Sequence, residues 1–275
     1  MIRLSWPSLI LLALLVGLGV PSNARAQQQD DDAAVFKPAQ PDFTLVGLPT
    51  GLRLPKFKSA FRVTHRFTRP LGEGDFGSLA EDFFGLDSGA QIGLEYRFGI
   101  TRNAQIGINR TSNRTIQFFG LYDLIRQERL GVEVSALASI DGTNNFKDSY
   151  SPALGAVISR TLGDYVGLYV EPIWVNNTNE LPQSVVDHND TFIIGVGARV
   201  RVRPTVYVVG DVSPRASGYK PGVTQGSVGL EKRAGGHVFQ VNFSNSFGTT
   251  MSQIARGGPE ENDWYLGFNI SRKFY

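Results

Sequence analysis

The chain contains no cysteine in its 275 residues, so neither disulfides nor thiolate metal sites hold it together. No cysteine follows the N-terminal leader either, which excludes a lipid-anchored lipoprotein. After residue 26 no apolar run approaches the roughly 20 residues that a membrane-crossing helix needs. Histidines number only three, and no zinc-ligand spacing, P-loop or dinucleotide fingerprint occurs. GEGDFG at 72–77 is glycine-rich but lacks the strand-to-helix context of a phosphate cradle. Net charge is small as well. Arg3 and Arg25 account for the whole formal excess of +2, so the rest of the chain is balanced and points to neither nucleic acid nor an acidic substrate.

What is present begins with a leader. Arg3, the apolar run Leu9 to Val20 and the site Ala24-Arg25-Ala26 predict a secretory signal peptide over 1–26. Its cleavage leaves about 249 residues. Residues 27–42 are polar and proline-spaced, which predicts a flexible linker. Residues 43–57, FTLVGLPTGLRLPKF, fit three descriptions: an extended tether, a lumen insert or one more strand. The working division takes 27–57 as a periplasmic linker or tether and 58–275 as a second unit.

Beyond residue 58, alternation of apolar and polar residues predicts twelve strands, near 59–69, 89–98, 104–110, 115–125, 130–140, 153–160, 165–175, 191–203, 205–213, 226–233, 237–246 and 264–275. TFIIGVGARVRVR is the clearest. Phe192, Ile194, Val196, Ala198, Val200 and Val202 share one face, and Gly195, Gly197, Arg199, Arg201 and Arg203 share the other. A continuous apolar face opposite a charged one, over about ten residues, fits a tilted membrane-spanning strand. Short and long connections alternate, apart from the short link 111–114. That is the habit of barrels with short periplasmic turns and longer outer loops. Backbone groups inside lipid need partners, so the sheet must close. The expected fold is a closed antiparallel transmembrane β-barrel of about 12 strands in a Gram-negative outer membrane.

The chain ends on WYLGFNISRKFY. Trp264, Leu266, Phe268, Ile270 and Phe274 are its large apolar residues, and Tyr275 follows. We read a closing strand that pairs with the first, its terminal aromatics at the periplasmic interface. Such an ending resembles the signal read by the barrel insertion machinery. Several stretches together, THRF (64–67), FFGLDSGAQIGLEYRFGIT (83–101), LYDLIRQ (121–127), ISRTLGD (158–164), GGHVFQVNFSNS (235–246) and LGFNISRKF (266–274), resemble an uncharacterised bacterial outer-membrane β-barrel family, a domain of unknown function. The resemblance implies the barrel and carries no activity.

With the large apolar residues facing lipid, the lumen receives Arg62, Arg66, Glu95, Arg97, Asp123, Glu133, Glu171, Arg199, Arg201, Arg203, Asp211, Glu231, Arg233 and Lys273. Gly93, Gly107, Gly195, Gly197, Gly229 and Gly267 share that face. Two readings compete: an anion-leaning constriction in a wet pore, or a network of ion pairs that fills the lumen. Arg126, Arg160 and Arg272 share the outward register and reach toward lipid phosphates. His65 and His237 are the candidate bases of a hydrolase with Ser244, Ser246 or Ser271. His188, with Glu180, Asp187 and Asp190, reads as a solvated loop rather than a metal site. Residues 77–87 fit a helical turn or two that folds over the mouth or into the pore. The leading expectation is a narrow passive channel, no enzyme, with no cofactor and no metal. A closed barrel docking a periplasmic protein through 27–57 is the alternative, and an outer-membrane hydrolase comes third. Membrane lipid and the insertion machinery are the expected partners; nucleic acid is not.

Overall fold

The computed structural model describes residues 38–86, 88–179, 189–260 and 262–275, so the predicted signal peptide and residues 27–37 lie outside the described part. The sheet contains β1 (Ser59–Phe67), β2 (Ala90–Gly99), β3 (Ala104–Thr111), β4 (Ile116–Ile125), β5 (Glu133–Gly142), β6 (Asp148–Leu162) and β7 (Val166–Val175). It continues through β8 (Thr191–Arg203), β9 (Val206–Ser213), β10 (Arg215–Gly218), β11 (Gln225–Ala234), β12 (His237–Ser244) and β13 (Tyr265–Phe274). Twelve of these form a closed antiparallel barrel, in which β9 pairs with both β8 and β11. The four-residue β10 lies outside the ring and extends the edge of β8. All twelve predicted strands are present.

Closure runs through the first and last barrel strands. Ser59 pairs with Phe274 and Arg66 with Gly267, so the chain's end is a ladder strand. The period of two then sorts the side chains. Ile106 and Ile108, Val196 and Val200, Val208 and Val212, Phe239 and Val241 point outward and are exposed. Arg62, Arg66, Glu133, Glu171, Arg199 and Glu231 point inward and are buried. The molecule is apolar outside and polar inside, the inverse of a water-soluble domain.

The lumen is not empty. Residues 39–46 are all buried, as are Leu48, Thr50, Leu52 and Leu54. This part of the predicted linker or tether is therefore a lumen insert. It folds as a tight hairpin: Leu45 N–H donates to the Leu48 carbonyl at 2.7 Å, and Thr50 N–H to that of Phe43 at 2.8 Å. A second segment enters from the long-loop rim. The connection from β12 to β13 carries the helix Met251–Arg256, whose first five residues are buried. Leu45, Val46 and Leu48 join Met251, Ile254 and Ala255 in one apolar cluster with Leu121, Leu137, Ile173 and Ile193 of the wall. In the loop between β1 and β2 the expected helical turns are present. Phe76–Glu81 is helical, followed by a 3-10 turn at Phe83–Gly85, and Phe76 and Phe83 stay exposed.

A plugged lumen as the candidate functional site

The hairpin tip is seated by small residues. A β-carbon at Gly195 would lie 2.7 Å from Leu48 Cδ1, and one at Gly197 would overlap Leu45 Cδ1. Below, Gly99 meets the Pro55 carbonyl so closely that no side chain fits. These glycines make room for the plug, which is a specific form of the spacing role expected of them.

Polar wall groups then bind the hairpin backbone, whose own groups need partners once buried. The Asp211 carboxylate accepts from the backbone N–H of Val46 and of Gly47, both at 2.9 Å, and of Leu48 at 3.4 Å. Arg62 donates to the Val46 carbonyl at 2.8 Å, Arg66 at 3.4 Å and Asn269 at 3.5 Å. Gln240 donates to the Leu45 carbonyl at 3.1 Å and Arg199 to that of Thr44 at 2.5 Å. Arg97 faces the ring of Phe43 at 5.5 Å and that of Phe119 at 4.7 Å.

Among the described residues, ion pairs made by three arginines neutralise much of the remaining charge. Arg199 forms a bidentate pair with Glu231, at 2.7 and 2.8 Å, with both side chains fully buried. Arg97 pairs with Glu95. Arg53, from the hairpin itself, pairs with Asp123 and reaches Glu133 at 3.2 Å. The structure thus brings Arg62, Arg66, Glu95, Arg97, Glu133, Arg199 and Glu231 into a buried interior. Arg201, Arg203, Arg233 and Lys273 lie further out, at the short-turn rim, with partial or full exposure. A cleft of about 540 Å³ opens at this rim beside the start of the hairpin, lined by Pro38, Ala39, Gln127, Arg160 and Asp164 among others.

Leu266, Phe268, Ile270 and Phe274 of the terminal segment take the outward register, and Trp264 precedes the strand. Tyr275 instead packs against the inner cluster of Phe43, Leu52, Leu54 and Ala60. Arg126, Arg160 and Arg272 are exposed at the short-turn rim. His65 stacks on Phe268 at 4.7 Å, and His237 contacts Arg272 at 2.9 Å, both outside the barrel. Ser244, Ser246 and Ser271 are buried, so histidines and serines are not brought together as a nucleophile and base. Glu180, Asp187 and His188 lie outside the described residues.

Sequence reasoning missed the wall amides Gln240 and Asn269, and Asp42 and Arg53 of the insert. It also missed the buried helix 251–256. One signal was available. FTLVGLPTGLRL is too apolar for a solvated linker, and its apolar residues match the small and apolar inner positions of β7, β8 and β9.

Fold and lumen together define a membrane β-barrel whose interior is closed by its own chain. A membrane bound beta barrel domain (DUF5777) matches residues 44–274, and the protein belongs to that family. The match begins within the hairpin. No curated protein matches the chain. Among solved structures, the NanC porin aligns with 79% of this chain and 99% of its own, at 7% identity and a TM-score of 0.51. The KdgM porin, solved in complex with disordered oligogalacturonate, covers the same shares at 7% identity and a TM-score of 0.49. The chain spans 55% of a mutant Rhodopseudomonas blastica porin, at 14% identity, 67% coverage of this chain and a TM-score of 0.36. Identities this low speak to the fold alone.

Proposed function

We propose that the protein is a passive channel of a Gram-negative outer membrane, held shut by its own N-terminal hairpin. One observation carries the reading: the lumen is filled by a segment that noncovalent contacts hold against the wall. Hydrogen bonds to Asp211, Arg62, Arg66 and Arg199 and leucines seated over Gly195 and Gly197 are all reversible. The barrel wall itself is complete without the hairpin, since every barrel strand pairs on both sides. The predicted signal peptide, the terminal aromatic strand and the exposed arginines of the short-turn rim support this membrane, with the hairpin entering from the periplasm.

A lock tests it. The chain has no cysteine, so Leu45→Cys with Gly197→Cys places a single thiol pair where side chain and wall now touch. The reduced double variant should show discrete openings in planar bilayers, and the oxidised form none. Equal current in both forms, or silence in both, overturns the channel reading.

A further inference from the structure

Several interior charges are left over once the ion pairs are formed, among them Asp42, Asp141 and four near the hairpin tip. Arg62 and Arg66 stand on β1, Asp211 on β9 and Glu171 on β7, and among the described residues none of them makes an ion pair. Arg62 Nε and Arg66 Nε have no protein partner, and neither does either carboxylate oxygen of Glu171. All four side chains belong to buried residues. Buried charge without a counter-charge is costly.

One residue of the hairpin stands between the two signs. Val46 N–H donates to Asp211 at 2.9 Å, while Val46 C=O accepts from Arg62 at 2.8 Å, Arg66 at 3.4 Å and Asn269 at 3.5 Å. Leu48 and the Cβ of Glu171 both lie against Gly195, so Glu171 enters the lumen on the wall that seats the hairpin tip. The bonds that Asp211, Arg62 and Arg66 make to this peptide unit are charge-assisted from the wall side alone, whereas a zwitterion would bring a full charge to each end. The donor and acceptor of Val46 are the amino and carboxyl ends of a single α-amino acid unit, at the spacing of a free zwitterion. The Val46 side chain, 1% exposed, sits in the apolar cluster.

We infer that Val46 occupies a zwitterion site. With the hairpin displaced, the site takes a small apolar α-amino acid, its carboxylate on Arg62, Arg66 and Asn269 and its ammonium on Asp211, assisted by Glu171. The hairpin is then a built-in competitor, and the permeant helps to open its own path. This inference rests on the channel reading, which supplies the hairpin-out state.

The test uses the full secreted chain carrying Val46→Cys, refolded in lipid vesicles. The thiol is buried in the lumen, so alkylation by a membrane-impermeant maleimide reports hairpin release. L-Valine should accelerate alkylation about tenfold at ten times its dissociation constant, because it binds only the released state. Acetate and methylammonium, each carrying one of the two charges, should act far more weakly. Asp211→Asn keeps an oxygen for the N–H groups but should abolish the advantage of valine over acetate. Arg62→Gln should abolish the response to valine, and Arg62→Lys should restore it. An equal response to acetate, or a full response to valine in Asp211→Asn, overturns the zwitterion site. So does alkylation that valine leaves unchanged. Should Arg62→Gln fail to insert, Asp211→Asn still decides. The two readings fail separately. A gated current without a valine effect sinks the site alone. A valine effect in a barrel that stays silent after reduction sinks the channel alone.

Discussion

Two segments fill the barrel, and they are held differently. The helix Met251–Arg256 is tethered at both ends, to β12 and to β13, and fits the wall through side-chain amides and one carboxylate. Ser252 N–H donates to Asp141 at 2.9 Å, and Gln253 reaches Thr115 at 3.3 Å. The hairpin 38–57 joins the barrel through β1. Charged wall groups hold its backbone at Thr44, Val46 and Gly47, and its Arg53 pairs with Asp123 and Glu133. A double tether fixes the helix in place. The hairpin forms no part of a barrel strand, so on the channel reading it can leave as a unit without unfolding one. On the proposed channel reading, the hairpin gates and the helix supports.

The largest expected effect removes what the wall and the hairpin share. Arg199→Ala leaves Glu231 buried and unpaired and strips the Thr44 carbonyl of its partner, which should cost about 3–5 kcal/mol. A lowered midpoint for urea unfolding in micelles would register it, and an unchanged midpoint would mean that the pair is not buried in the folded protein. Gly197→Val comes next. Its side chain takes the place of Leu45 Cδ1, an overpacking worth about 1–3 kcal/mol. Roughly five- to 150-fold more channel openings should follow, with the helix 251–256 still protected from hydrogen exchange. Loss of protection in both segments would erase the distinction between them.

Asp141→Ala should do the reverse, freeing Ser252 N–H at a cost of about 1–3 kcal/mol. Exchange should quicken at 251–256, while thiol labelling at a cysteine in place of Val46 stays as it was. The smallest effect concerns an outer segment that enters neither role. Asp75 caps the helix Phe76–Glu81, and the N–H and hydroxyl of Ser78 hold its exposed carboxyl below the usual range. A group whose folded pKa is depressed contributes above its ordinary value and loses that contribution as pH falls through the depressed one. Protection of 76–81 should therefore fade on acidification below about pH 4, the ordinary carboxylate value, in the native protein and be pH-independent in Asp75→Ala. Conductance should not change.

Much of the barrel was legible because a spanning strand obeys a local rule. TFIIGVGARVRVR declares its outward and inward faces without reference to any neighbour, and WYLGFNISRKFY declares a strand where a frayed tail is usual. The interior was legible only as an inventory. Arg199 could be placed inside by its register, but its partner Glu231 lies 32 positions away and two strands round the barrel. Arg201 and Arg203 share that register and still lie at the rim, because depth depends on how β8 staggers against its neighbours.

The sequence by itself determined the class of molecule, a twelve-stranded membrane barrel with charges inside. Hydrophobic alternation and the need to satisfy backbone groups in lipid leave few other solutions. Only the tertiary structure decided that the lumen is closed, that 39–54 is an insert and that Val46 stands between Asp211 and Arg62. Those facts arise from contacts between groups up to 223 positions apart, where fit and charge are settled in three dimensions and leave no period in the chain.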